Sequence, residues 1–310
     1  MTEFVGVAFS ADGDAAIARP DRPATIVPAT DRTELAELER IGVRWVWWSK
    51  PTAAALIDLG IRPARCWDLA AVHRLLAGTW RASPAHVWAS AHELDPETIP
   101  TTQPVDLFTH SIDTGDPEHP IVDDGHLRPE WADGGWAESA IRTARWAELA
   151  LRVQERQQDA IAALAVANPM LTAASESAAE LLCAELDHDG LPFDRTVGEA
   201  IIEGFVGPRP LTAEAEREQL AALDESVLEH LPPGTTFDLR SPDQVKSLLR
   251  RIGIEVPDTR AWRLEGLRDA HPIIEPLLRW RRAERIRTTF GYAWIDEHVG
   301  PDGRLRGEWT

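Results

Sequence analysis

The chain has 310 residues, 44% of them hydrophobic, enough for one large domain or two ordinary ones with a real core. Its 51 acidic and 32 basic residues give a formal charge of −19, which as a bulk property argues against nucleic acid as a partner. No run of 18 apolar residues and no basic n-region with a long apolar h-region occurs, so neither a membrane partner nor a signal peptide is expected. Cys66 and Cys183, the only cysteines, read as reduced thiols of a cytoplasmic protein.

Phe4–Phe9 reads as a strand, Asp12-Gly13-Asp14 as a hairpin turn, and Ala15–Ala18 as a second strand. Ile26-Val27 is a third candidate. A helix is expected over Asp31–Ile41, ending at Gly42, then a buried strand over Val43–Trp48 and a helix over Lys50–Leu59, closed by Gly60. Arg65–Asp68 is a short strand leading into a helix that reaches about Ala77. Strands alternating with helices imply an α/β layer. Residues Gly78–Gly135, rich in Pro, Gly, Asp and His, are expected to form an extended or partly disordered insertion.

Beyond Trp136 the pattern is helical. Helices are expected over Trp136–Val166, Thr172–His188, Asp194–Phe205, Thr212–Leu231, Ser241–Ile252, Arg263–Ala270 and Pro276–His298. Asp194 and Thr212 are the N-caps of theirs, and Pro242 sits at the first position of the Ser241–Ile252 helix, where its missing N–H costs nothing.

The charge is unevenly spread. From Thr236 onward 14 basic residues face 12 acidic ones, a net of +2, leaving −21 on the remainder. Within Leu277–Phe290 there are five arginines and one acid, Glu284. Such a helix suits phosphate contact, because contact depends on the nearby field rather than on total charge. A solvated arginine-rich face is the competing reading.

Three segments in order carry a family likeness: Phe237-Asp238-Leu239-Arg240-Ser241-Pro242-Asp243-Gln244, then Trp280-Arg281-Arg282-Ala283-Glu284-Arg285-Ile286-Arg287-Thr288-Thr289-Phe290, then Gly300-Pro301-Asp302-Gly303-Arg304. Together they resemble the thumb region of bacterial family-A DNA polymerases, the DNA polymerase I type. Leu182–Asp194 resembles the segment that enters that thumb. The resemblance implies an α/β domain of degenerate ribonuclease-H-like 3′–5′ exonuclease fold over 1–165, then a mostly α-helical thumb over 166–310. The family's palm and fingers would follow Thr310. It also implies that Arg281 and Arg285, one helical turn apart, contact the backbone of a primer–template duplex, with Arg287 beside them; Trp280 stands where the family has Tyr. Such contacts position DNA without reading its sequence.

In the family the N-terminal domain is a proofreading exonuclease, whose chemistry needs four carboxylates around two metal ions. The resemblance places the third on Asp68. The first pair is incomplete: Val5–Phe9 looks like the family's second strand, or, with Ala8–Asp12 aligned on the first, the pair becomes Ser10 and Asp12. The fourth position falls on Ala144, with Ala140 at the accompanying Tyr. One carboxylate of four cannot hold a two-metal site, and Asp68 alone reads as a helix N-cap. His119, Asp123, Asp124 and His126 have no regular metal spacing, so no metal site and no cofactor are expected in this segment. Magnesium is expected for the parent polymerase. The expected function is the N-terminal part of a DNA-directed DNA polymerase, binding duplex DNA through its thumb beside an inactive proofreading-like domain. The alternatives are an active 3′–5′ exonuclease and a stand-alone, non-catalytic DNA-binding protein.

Overall fold

Branched and small apolar residues alternate through Phe4–Phe9, and a strand buried on both faces results. The computed structural model describes residues 2–101, 116–232 and 234–309. Its first elements are β1 (Phe4–Phe9), β2 (Ala15–Arg19), β3 (Arg22–Val27), α1 (Thr33–Ile41), β4 (Arg44–Trp47), α2 (Lys50–Asp58), β5 (Cys66–Asp68) and α3 (Leu69–Ala77). The sheet order is β3-β2-β1-β4-β5. β2 runs antiparallel to both β1 and β3, whereas β1, β4 and β5 are mutually parallel.

β1 is therefore the central strand, hydrogen-bonded on both sides. It is antiparallel to β2 and parallel to β4. The third strand is longer than Ile26-Val27, because Arg22–Thr25 pair with β2 while mostly facing solvent, where hydrophobic alternation is silent.

Period-2 alternation divides the sheet's side chains between two cores. Val5, Val7, Trp45, Trp47 and Cys66 pack with α1, α2 and the later helix α7 (Pro169–Asp189). Ala8, Val46, Trp48 and Trp67 pack with α3 and with α4 (Pro84–Ala91), α5 (Pro129–Ala132) and α6 (Ala140–Ala162). Gly6 lets α6 lie on β1, since a Cβ there would stand 2.4 Å from the carbonyl oxygen of Ala147.

The insertion expected over Gly78–Gly135 is better formed than its composition suggests. Val87, Trp88, Leu127 and Trp131 are all buried in the core beneath α6. Helices of one or two turns carry too few periods to stand out between Pro and Gly residues. Positions 102–115 of this stretch lie outside the described residues.

α7 (Pro169–Asp189) corrects the domain boundary. Its Ala173, Ser177, Leu181 and Ala184 are buried against the first sheet and its helices. The chain divides into Met1–Gly190 with Glu308–Thr310, and Leu191–Gly307, rather than at 165/166. The Asn168-Pro169 break looks like a boundary in sequence but is only a turn between two helices of one unit.

The second unit holds β6 (Leu191–Pro192), α8 (Arg195–Val206), α9 (Ala213–Leu228), α10 (Pro242–Arg251), α11 (Ala261–Glu265), α12 (Ile274–Phe290), α13 (Tyr292–His298) and β7 (Arg304–Leu305), which pairs antiparallel with β6. Asp194, Thr212 and Ser241 cap α8, α9 and α10 through their side-chain oxygens. The single helix expected over Pro276–His298 is two, parted at Gly291, where a Cβ would meet the Arg287 carbonyl oxygen at 2.4 Å. Leu239, Val245, Leu248, Leu264, Ile274, Leu277 and Trp280 form one core of this unit; Ile202, Ile295 and Val299 form another. Among the described residues no helix is long and apolar enough to cross a membrane.

Candidate nucleic-acid interface

α12 buries Ile274, Leu277, Leu278, Trp280 and Ala283, and this apolar stripe decides where its arginines point. Arg279, Arg282 and Arg285, spaced three apart, are exposed along one face. Arg281 is half-buried at the edge of that face. Its guanidinium donates to the backbone carbonyl of Thr259 and, at 3.0 Å, to Thr259 Oγ1. Burial pulls its basicity down, yet an arginine stays charged.

Arg287 is turned elsewhere. It donates to both carboxylate oxygens of Glu284 at 3.1 and 2.9 Å and lies 3.9 Å from Glu216. The three arginines expected to act together thus separate into Arg281 and Arg285 on one side and a neutralised Arg287 on the other. The sequence reading passed over Arg279 and Arg282; counting in threes back from Arg285 finds both.

Trp280 fixes the helix to its unit. Its Nε1–H donates to Asp224 Oδ1 at 2.7 Å, and Arg240 lies 5.4 Å from its ring centroid while pairing with Asp224 at 3.0 Å and Glu284 at 3.2 Å. A tryptophan and an arginine thereby orient the start of the basic turn.

Two grooves flank Arg281. One, of about 390 Å³, is lined by Lys246, Arg260 and Arg281 along with Asp243 and Asp258. The other, of about 550 Å³, is lined by Arg240, Arg281, Arg282, Arg285 and Glu284. Positions 240–290 carry twelve Lys and Arg against seven Asp and Glu, a net of +5 in a chain of −19. The groove surface is therefore a local cationic strip on an acidic protein, of a sign that attracts phosphate.

The first unit supplies no metal centre among its described residues. Asp68 is fully buried. Its Oδ1 accepts the Ala71 N–H at 2.9 Å, capping α3, and its Oδ2 accepts Trp47 Nε1–H at 2.8 Å. Its own N–H donates to Ser177 Oγ on α7. Burial pushes the carboxyl up to about 7, against the lowering pull of those two donors. Its partner Trp47 belongs to the core on the α7 side of the sheet, whereas α6, which carries Ala140 and Ala144, packs on the other face. Ser10 Oγ accepts the Asp14 N–H, and Asp12 is exposed in the turn.

The four-residue acid and histidine group is spent on turns. His126 bonds Asp124 and the Asp95 carbonyl, while His119 bonds the Ile121 carbonyl. Among the described residues no group of three or more His, Cys, Asp or Glu is placed to hold a metal ion. A two-metal nuclease site does not fit these residues.

No family model matches the chain, and no curated protein matches it. The fold is nevertheless similar to a solved structure, the POL domain of Pol1 from M. smegmatis in complex with DNA primer-template and dNTP. The likeness covers 99% of this chain at 17% identity with a TM-score of 0.57. It spans 49% of that chain, so the present chain corresponds to about half the neighbour's length. The mixed α/β fold with its helical second unit resembles that of the neighbour's POL domain.

Proposed function

We propose that this chain is the exonuclease-like and thumb portion of a family-A DNA polymerase, and that its second unit grips the primer–template duplex through the phosphate backbone. The observation that carries the reading is the fold similarity over 99% of the chain to a polymerase domain whose structure contains primer–template DNA. The sheet order β3-β2-β1-β4-β5, with β2 antiparallel to a parallel β1-β4-β5 set, supports a ribonuclease-H-like origin for the first unit. The exposed arginines of α12 and the two cationic grooves beside Arg281 support phosphate binding by the second.

In this reading the first unit is a scaffold, because its one retained carboxylate is a helix cap. Magnesium and nucleotidyl transfer belong to palm and fingers elements, and no residue of this chain is assigned to them. A cytoplasmic protein of replication or repair is part of the same reading. The alternative of an active 3′–5′ exonuclease loses its support at Asp68.

The test is a duplex-binding titration across salt. Arg281→Ala with Arg285→Ala should weaken binding evenly across DNA sequences. It should also flatten the plot of log affinity against log salt by roughly 0.9 for each lost phosphate contact. Unchanged affinity and slope would remove α12 from the interface.

A further inference from the structure

Beside the cationic grooves stands an aromatic residue that phosphate binding leaves unexplained. Trp262, on α11, is 59% exposed. Covering an indole of this size is worth a few kcal/mol to a ligand that stacks on it. Trp262 is also held in place. The Arg263 guanidinium lies 4.3 Å from its ring centroid. Arg263 is in turn fixed by Asp258, whose Oδ2 accepts its Nε–H at 2.9 Å and whose Oδ1 accepts the Arg260 N–H at 3.0 Å. Those donors keep the Asp258 carboxyl below its usual range, so the clamp persists as an ion pair at neutral pH. One face of the indole is thus occupied by a cation, and the exposed surface leaves the other free.

The neighbours say what would use that face. Ala261, next in the chain, lines the groove shared with Arg281, Arg282 and Arg285. Arg260, two residues away, lines the groove shared with Lys246 and Arg281. An exposed aromatic plane whose chain neighbours line two cationic grooves suits single-stranded nucleic acid: cations track the backbone while a base stacks on the ring. Stacked duplex bases offer no such face unless unstacking is imposed.

From this, and resting on the reading of the second unit as a DNA-binding thumb, we infer that Trp262 is a stacking platform for an unpaired base. The surface would therefore bind single-stranded DNA, or a duplex with a single-stranded extension, in preference to a blunt duplex.

The experiment measures anisotropy of three labelled probes: a deoxythymidine oligonucleotide, a blunt duplex, and the same duplex with a short single-stranded overhang. The full chain is compared with Trp262→Ala, Trp262→Phe, Trp80→Ala and Arg281→Ala/Arg285→Ala. Trp80, 92% exposed in the first unit, controls for loss of an exposed indole as such. Trp262→Ala should weaken the single strand and the overhang roughly tenfold, in line with the loss of one stacked base. It should leave the blunt duplex within about twofold and the salt slope unchanged. Trp262→Phe should restore most of the loss, and Trp80→Ala should have no effect. The inference is overturned if the wild-type chain does not favour unpaired DNA, or if Trp262→Ala leaves single-strand affinity intact or weakens all three probes alike. Retained duplex binding in the double arginine variant would instead overturn the thumb reading, so the two failures are distinct.

Discussion

Asp68 carries two opposed demands. As an N-cap and as acceptor for the Trp47 indole it is best ionised; as a fully buried group it is best neutral, and burial wins by raising it to about 7. A carboxyl whose folded pKa exceeds its unfolded value binds its proton more tightly in the native state. Its stabilising contribution is therefore complete below about pH 4, falls as pH rises through 7, and is flat above that. With each tenfold change near 1.4 kcal/mol, the loss is on the order of a few kcal/mol. Urea denaturation between pH 4.5 and 8 should show stability declining with pH. Asp68→Asn should remove that part of the slope while costing about 1–3 kcal/mol at acid pH, because its single amide oxygen cannot take the place of both acceptors and its Nδ2 can only donate, leaving the Ala71 N–H or the Trp47 Nε1–H without a partner. Parallel pH profiles for the two proteins would count against it. The cap itself was legible in the sequence, because Asp before an apolar run is a strong start signal. The indole partner was not, since Trp47 and Asp68 meet only once β4 and β5 pair.

Among the elements, what could be read depended on length and on which residue broke the pattern. The strands β1, β2 and β4 and the long helices announce themselves by period. α4 and α5 do not, because Pro84, Pro129 and short length conceal them even though Trp88 and Trp131 anchor them in the core. The α12–α13 break was missed for a different reason. Gly291 has φ of −76° and ψ of −170°, an extended conformation open to any residue, so local preference gives no warning. What requires glycine is the nearness of the Arg287 carbonyl. Gly291→Ala should thus act through collision rather than backbone strain. A cost of about 1–3 kcal/mol is expected, within the range for overpacked sites, read as a lowered midpoint for unfolding of the second unit. A neutral or stabilising effect, as for an ordinary Gly→Ala change in a helix, would show that the two helices are free to merge. On α12 itself the helix and its arginines were evident, but their partition was not. Arg287 is silenced by Glu284, three residues away in sequence, and by Glu216, which only the tertiary fold brings near.

At the scale of the whole molecule, the origin proposed for the first unit would require converging carboxylates if it were to act as a nuclease. Phosphodiester hydrolysis by the two-metal route needs carboxylates that converge on both ions, because charge develops on the attacking and the leaving oxygen together. Ser10 accepts a turn N–H, Ala144 has no ligand atom, and Asp68 is sealed between β4 and α7 on the side of the sheet away from α6. Restoring one carboxylate would not restore the site, since Asp68 would still face the other core. The chain should therefore release no nucleotides from a single-stranded 3′ end in magnesium or manganese. The Ala144→Asp variant should be equally inert, although it places an acid where the family resemblance implies one. Gel analysis of a 5′-labelled oligonucleotide over hours decides the matter. Metal-dependent shortening that disappears in Asp68→Ala would mean that Asp68 reaches its ligand by a rearrangement of β5 and α3, and the assignment of the first unit as scaffold would fail with it.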